Sequence, residues 1–134
     1  MPHVSETHLR VRYAETDQMG MVYYANYLIW MEVGRTDFCR ECGFTYRDLE
    51  EEEQTCLTVA EVNCRYLASA RYDDQIVVET EIARARSRIV EFSYKIKSGT
   101  VLRAQGGTVH VVIGADGRPR SLPQRYLELL KSKM

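Results

Sequence analysis

The chain has no surplus of charge of either sign: 18 Lys and Arg stand against 19 Asp and Glu, a net charge of -1 over 134 residues. The bulk electrostatic pull toward nucleic-acid phosphates is therefore missing, and nucleic acid is not an expected partner. Long hydrophobic runs are missing too. The longest uncharged stretch, Gln18 to Met31, is too short to cross a bilayer as a helix, so no membrane span is expected. Residues Met1 to Arg12 carry His3, Glu6, His8, Arg10 and Arg12 and lack the apolar core of a secretory leader, which makes a cytoplasmic setting the expectation.

Metal and phosphate signatures are equally thin. Cys39 and Cys42 form a C-x-x-C pair, but it falls in the last turn of a helical pattern closed by Gly43, where the helix dipole opposes a thiolate. Cys56 and Cys64 add no second close pair and no histidine partner, so no metal site is expected and the thiols read as reduced and buried. Gly106-Gly107 lies inside a strand pattern without the lysine and helix of a phosphate-cradling loop, and a β-bulge is its expected use.

With 45% hydrophobic and 28% charged residues, the composition is that of one soluble domain, 1–134, with a packed core. Leu9, Val11 and Tyr13 alternate with His8, Arg10 and Arg12, the period of a half-buried strand over His8 to Tyr13. From Asn26 to Cys42 the period becomes helical: Tyr27, Met31, Gly34, Phe38 and Cys42 share one face, opposite Glu32, Arg35, Thr36, Arg40 and Glu41. Its first half, with Leu28, Ile29 and Trp30, is apolar nearly all round and is expected to be covered on most sides. Tyr46 to Glu53 reads as a short helix with a solvated acidic run.

Four strand-like stretches follow. Thr55 to Leu67 changes phase near Ala60 and Glu61, which predicts a bend or bulge. Gln75 to Ala83 and Arg88 to Lys97 alternate cleanly, Ser98-Gly99 supplies a hairpin turn into Val101 to Ile113, and Pro123 opens a short terminal helix. This order predicts a segregated α+β domain, an antiparallel sheet of about five strands curled around one long central helix. Its open edges invite pairing with a second copy, a homodimer with a continuous sheet.

The chemistry-bearing segment runs from Tyr13 to Tyr27 and joins the first strand to the long helix. Asp17 precedes Gly20 and a helix start, so a carboxylate and free backbone N–H groups can face one carbonyl, the backbone at Tyr24 being the candidate donor. On the residues alone, a turn or cap role is a stronger reading of Asp17 than a catalytic one. Asn26 reads as an N-cap or a loop-fixing hydrogen bonder. Tyr23, Tyr24, Tyr27 and Trp30 either line an aromatic pocket or belong to the helix core. His3, His8 and His110 read as non-catalytic.

The run Thr16-Asp17-x-x-Gly20-x-Val22-Tyr23-Tyr24-x-Asn26-Tyr27, supported by Ala70-Arg71-Tyr72-Asp73-Asp74, resembles the 4-hydroxybenzoyl-CoA thioesterase branch of the hotdog-fold superfamily, including YbgC-type acyl-CoA thioesterases. The resemblance implies a hotdog fold, dimers that often assemble as tetramers, and active sites at the subunit interface. It implies an acyl-CoA substrate cleaved to free acid and coenzyme A without a metal or organic cofactor. Asp17 is then the nucleophile or the general base, and the N–H at Tyr24 polarises the thioester carbonyl. Gly20, Val22, Tyr23, Asn26 and Tyr27 are carried over as substrate-binding positions, and Arg86 and Arg88 as contacts to the nucleotide, a role that suits paired guanidinium donors.

One departure stands out: many YbgC-type members carry a histidine where this chain has Tyr24, so a proton-handling side chain is absent there while the backbone donor is unaffected. Two other functions compete with hydrolysis. An acyl-CoA-binding hotdog module would keep the pocket but lose the carboxylate, which Asp17 argues against. A hotdog dehydratase or hydratase would use a histidine near the helix, and none lies in the Tyr13 to Tyr27 segment.

Overall fold

A computed structural model describes residues 2–134. Five strands, β1 (Ser5–Arg10), β2 (Thr55–Tyr66), β3 (Gln75–Ala85), β4 (Ile89–Ser98) and β5 (Val101–Gly114), form one antiparallel sheet in the order β1-β3-β4-β5-β2. Helix α1 (Asn26–Cys42) lies against one face of it, with α2 (Tyr46–Glu53) and α3 (Gln124–Lys131) beside it. This is the expected α+β arrangement of a five-stranded antiparallel sheet and one long helix. No helix among the described residues is long and apolar enough to cross a membrane.

The period-3.6 stripe of α1 forms the core. Tyr27, Trp30, Met31 and Phe38 are buried against the alternate residues Val78, Phe92, Tyr94 and Ile96 of the sheet. Burial of each such side chain is worth about 1.5–3 kcal/mol. Gly43 ends α1 with φ 111°, its N–H donating to the Cys39 and Arg40 carbonyls. Thr45 then caps α2, its hydroxyl oxygen accepting from the Asp48 N–H at 3.0 Å. α3 closes the far end of the core, Tyr126 meeting Phe44 edge to face at 5.0 Å.

Three expectations need correction. The first strand runs from Ser5 to Arg10 rather than to Tyr13: Val11 bonds to the Asp73 and Asp74 backbone, and Tyr13–Glu15 tightens into a 3₁₀ turn that leaves Tyr13 exposed. The register shifts lie at Val59/Glu61, Ile82/Arg84 and Ile96/Lys97, not at Gly106-Gly107. Gly106 instead admits the close approach of β2, since a Cβ there would stand 2.0 Å from the Asn63 carbonyl oxygen. The bend expected near Ala60 is the first of those shifts. The first half of α1 is not covered on most sides within one chain, because Ile29 is 52% and Val33 41% exposed.

Cys39 and Cys42 are buried and Cys56 and Cys64 half-buried, all unpaired. Burial pushes the Cys39 thiol far up and the Cys42 thiol to about 11, the reverse of a reactive pair.

Candidate active site

Asp17 sits on a four-residue turn between the 3₁₀ segment and α1. The turn closes through Gly20 N–H to the Asp17 carbonyl at 3.0 Å and Asp17 N–H to the Met21 carbonyl at 2.8 Å. Gly20 has φ 77°, a conformation that disfavours any side chain there. One carboxylate oxygen, Oδ1, accepts from the Met19 N–H at 2.9 Å and the Met21 N–H at 3.2 Å. Among the described residues the other oxygen, Oδ2, has no hydrogen-bond donor and Asp17 no ion-pair partner. The side chain is thus held by one oxygen and presents the other.

The same loop carries backbone donors with nothing to donate to. Tyr23 N–H is used by the Glu15 carbonyl and Asn26 N–H by the Tyr23 carbonyl, whereas the Tyr24 and Ala25 N–H groups have no partner among the described residues. They sit where α1 begins, at the positive end of its dipole. The cap residue is Ala25 rather than Asn26. Asn26 is the first helical residue, and its Nδ2 donates to the Glu15 carbonyl at 2.8 Å, the loop-fixing role that was its alternative reading.

Two residues missed by the sequence reading organise this loop. Glu15 is buried: its Oε1 accepts from the Arg12 N–H at 2.8 Å and its Oε2 from the Trp30 indole N–H at 2.9 Å. Burial pushes its carboxyl upward, but the Arg12 and Trp30 donors outweigh it and hold the pKa below the ordinary value. The Tyr66 hydroxyl, from the end of β2, donates to the Tyr24 carbonyl at 3.1 Å. Burial and the neighbouring Cys64 thiol push the Tyr66 phenol up to about 12, so it stays a donor at neutral pH. The one tryptophan of the chain was a signal for the first contact; no local pattern announces the second.

Of the residues expected to bind substrate, Val22 and Tyr27 are core: Val22 N–H donates to the Ala70 carbonyl at 2.8 Å, and Tyr27 packs on Trp30 and Tyr66 at 5.0 and 5.2 Å. Tyr23 and Tyr24 are exposed and lean on each other at 4.7 Å. Arg86 and Arg88 are exposed in the β3–β4 turn, at the opposite end of the sheet from the Asp17 loop. The 11 residues of β3, at about 3.3 Å each, run from the Asp74 end near that loop to the Arg86 end. A groove of about 700 Å³ on the sheet face away from α1, lined by Glu79, Glu81, Glu91 and Lys95, contains none of these residues. His3 and His8 lie in or before β1, and His110 is sealed in the core.

The thioesterase superfamily model matches residues 19–104. The chain is 49% identical over 80 residues to a putative acyl-CoA thioesterase, YneP, of Bacillus subtilis, a match spanning 60% of this chain and 57% of that protein. It is 32% identical over 125 residues to the acyl-CoA thioester hydrolase YbgC of Escherichia coli O157:H7, covering 92% of each. A DHNA-CoA thioesterase from Staphylococcus aureus has the same fold, with a TM-score of 0.91 at 30% identity over 96% of this chain and 89% of that one.

Proposed function

The chain belongs to the thioesterase superfamily, and from that premise we propose that it hydrolyses acyl-CoA thioesters to a free acid and coenzyme A. The observation that carries the reading is the pairing, on one loop, of a carboxylate oxygen without a donor at Asp17 and backbone N–H groups without an acceptor at Tyr24 and Ala25. A thioester needs both: something to attack or activate at carbon, and something to hold the charge that develops on oxygen.

Two routes fit this geometry. In one, Asp17 Oδ2 attacks the carbonyl carbon, the C–S bond breaks, coenzyme A leaves as the thiol after taking a proton, and water cleaves the resulting mixed anhydride. In the other, Oδ2 takes a proton from water while the water oxygen attacks, and that proton ends on the thiol. Both routes consume one water, return the aspartate and require no metal or organic cofactor. In both, the Tyr24 N–H stabilises the oxyanion, a donor worth about 3 kcal/mol of barrier in such sites. Tyr24, having no imidazole, contributes its backbone and a wall of the pocket together with Tyr23, while Gly20, Val22, Asn26 and Tyr27 shape the loop from behind.

The same proposal includes self-association. Residues Thr58 to Asn63 of β2 are exposed on both faces at an open sheet edge, and Ile29 and Val33 of α1 are exposed as well. A second copy, in a dimer or a tetramer, covers such an edge. Arg86 and Arg88 then serve the nucleotide only from another copy. Four unpaired thiols suit the reducing cytoplasm.

The test is thiol release from short, long and aromatic acyl-CoA thioesters by the intact protein and by Asp17→Asn, which keeps an oxygen for the Met19 and Met21 N–H groups. Turnover lost at least a hundredfold in a folded variant supports the reading. Saturable acyl-CoA binding without turnover in the wild type replaces it with a binding module.

A further inference from the structure

Arg35 is a buried cation without a counter-charge. The helical period set it among the polar residues of α1, yet it is only 9% exposed, and among the described residues no carboxylate pairs with it. Its Nε is buried with no acceptor. Burial opposes the charge, but the Tyr94 and Tyr46 phenols facing the guanidinium outweigh that and hold the group above its ordinary value.

Two more orphan groups lie around it. The Tyr46 hydroxyl and His110 Nδ1 are buried with no hydrogen-bond partner. The Thr108 hydroxyl engages Tyr94 at 2.7 Å and His110 Nε2 at 2.8 Å, which leaves the imidazole proton on Nδ1. The cluster is rich in donors and lacks an anion. Water accepts such hydrogen bonds but leaves the buried charge uncompensated. A carboxylate does both, and its two oxygens match the guanidinium fork.

This cluster adjoins an uncovered strip of sheet that starts at the candidate catalytic loop. Tyr66, Val62 and Val59 of β2 stand opposite Ala104, Thr108 and His110 of β5, and such cross-strand partners point to the same face, here the one under α1. The β5 row is buried, whereas the three β2 side chains are nearly half exposed. The strip begins where the Tyr66 hydroxyl meets the Tyr24 carbonyl and ends at Val59, next to His110 and the Arg35 charge that faces it. From its cap residue Ala25 to Arg35, α1 rises about 15 Å at 1.5 Å per residue. An acyl group held at the Tyr24 N–H and extended along this strip brings its far end to Arg35.

We propose that the strip and the Arg35 cluster form an acyl-tail site, the chain lying on Val62 and Val59 and a carboxylate at its far end accepting from the Arg35 guanidinium and the Tyr46 hydroxyl, so that the favoured substrates are ω-carboxyacyl-CoA thioesters. This rests on acyl-CoA being the substrate. The second copy proposed for the β2 edge then forms the other wall of the strip.

Thiol release from adipoyl-, suberoyl- and sebacoyl-CoA, each compared with the monocarboxylic acyl-CoA of equal chain length, tests the site. In the wild type at least one pair is expected to favour the ω-carboxyacyl member at least tenfold in kcat/KM. Arg35→Met is expected to lower that preference at least tenfold, Arg35→Lys to restore part of it, and Tyr46→Phe, which keeps the ring, to lower it at least twofold. Circular dichroism checks folding, and if Arg35→Met does not fold, the wild-type pairs and Tyr46→Phe decide. Calorimetric titration with suberate and with octanoate reads the site without catalysis: suberate is expected to bind the wild type at least tenfold more tightly, and Tyr46→Phe to narrow the difference. The inference is overturned if every wild-type pair agrees within twofold. It is also overturned if the substitutions lower both members of a pair equally, because Arg35 and Tyr46 then only hold α1 on the sheet. A wild type that cleaves monocarboxylic thioesters and ignores the ω-carboxylate loses this inference and keeps the hydrolase reading. One that cleaves nothing yet selects suberate through Tyr46 and Arg35 keeps the site and loses the hydrolase reading, and one that does neither loses both.

Discussion

The indole N–H of Trp30 donates to Glu15 Oε2 at 2.9 Å, tying the second turn of α1 to the residue that anchors the Asp17 loop. Glu15 holds that loop through its backbone as well, its carbonyl accepting from both the Tyr23 N–H and Asn26 Nδ2. Glu15→Ala leaves the buried indole N–H without an acceptor, which costs about 1–3 kcal/mol. Because the folded-state pKa of Glu15 is depressed, its contribution is present above the ordinary carboxylate range and is lost as pH falls through it. The expected outcome is a lower melting temperature at neutral pH, with the difference from wild type shrinking in acid; thermal unfolding followed by Trp30 fluorescence at several pH values measures it.

Tyr66→Phe removes one hydrogen bond, to the Tyr24 carbonyl, and keeps the ring packing on Tyr27. The peptide that carries the Ala25 N–H then loses a restraint next to the proposed oxyanion donors. A fall in kcat of about three- to tenfold is expected, equivalent to about 1 kcal/mol of one hydrogen bond, with KM nearly constant. Steady-state kinetics with one acyl-CoA checks it, and a change confined to KM would contradict it.

Gly34 lets α1 lie close on β3. A Cβ there would stand 2.5 Å from Thr80 Oγ1 and 2.9 Å from Val78 Cγ1. Gly34→Ala gains up to about 1 kcal/mol of helix propensity but overpacks this contact at a cost of about 1–3 kcal/mol. The net expectation is destabilisation, read as a lower midpoint in urea unfolding.

His110 is fully buried, its Nε2 2.8 Å from Thr108 Oγ1. Burial, and then the Arg35 charge from α1, push its pKa down to about 4. The unfolded chain binds the proton near pH 6.5 while the folded protein does not. Stability from this residue is therefore complete above about pH 6.5, is lost as pH falls, and levels off below about 4, a total of about 3 kcal/mol. His110→Gln is expected to flatten that segment of the stability–pH curve in denaturant titrations, and an unchanged slope would count against it.

The elements were legible where the information is local. The hydrophobic period of Asn26 to Cys42, Gly43 as its stop, Tyr46 to Glu53, and the phase change near Ala60 in β2 are properties of neighbouring residues, and each lies in the structure where its pattern put it. The first strand was misplaced because Val11 and Tyr13 continue the alternation although their partners are loop residues and solvent, and alternation alone does not say what a side chain meets.

The site divides in the same way. Asp17, Gly20 and the Tyr24 backbone lie within one turn and a helix start, so the sequence by itself determined that a carboxylate and free donors share a loop. Only the tertiary structure decided that Glu15 is locked to Trp30, that Tyr66 reaches Tyr24 across 42 residues, that Met21 bridges to Arg71, and that Arg86 and Arg88 stand at the far end of the sheet. Those relations depend on strand order and on which faces pack together, free-energy differences summed over many distant contacts, and no short window of residues contains them.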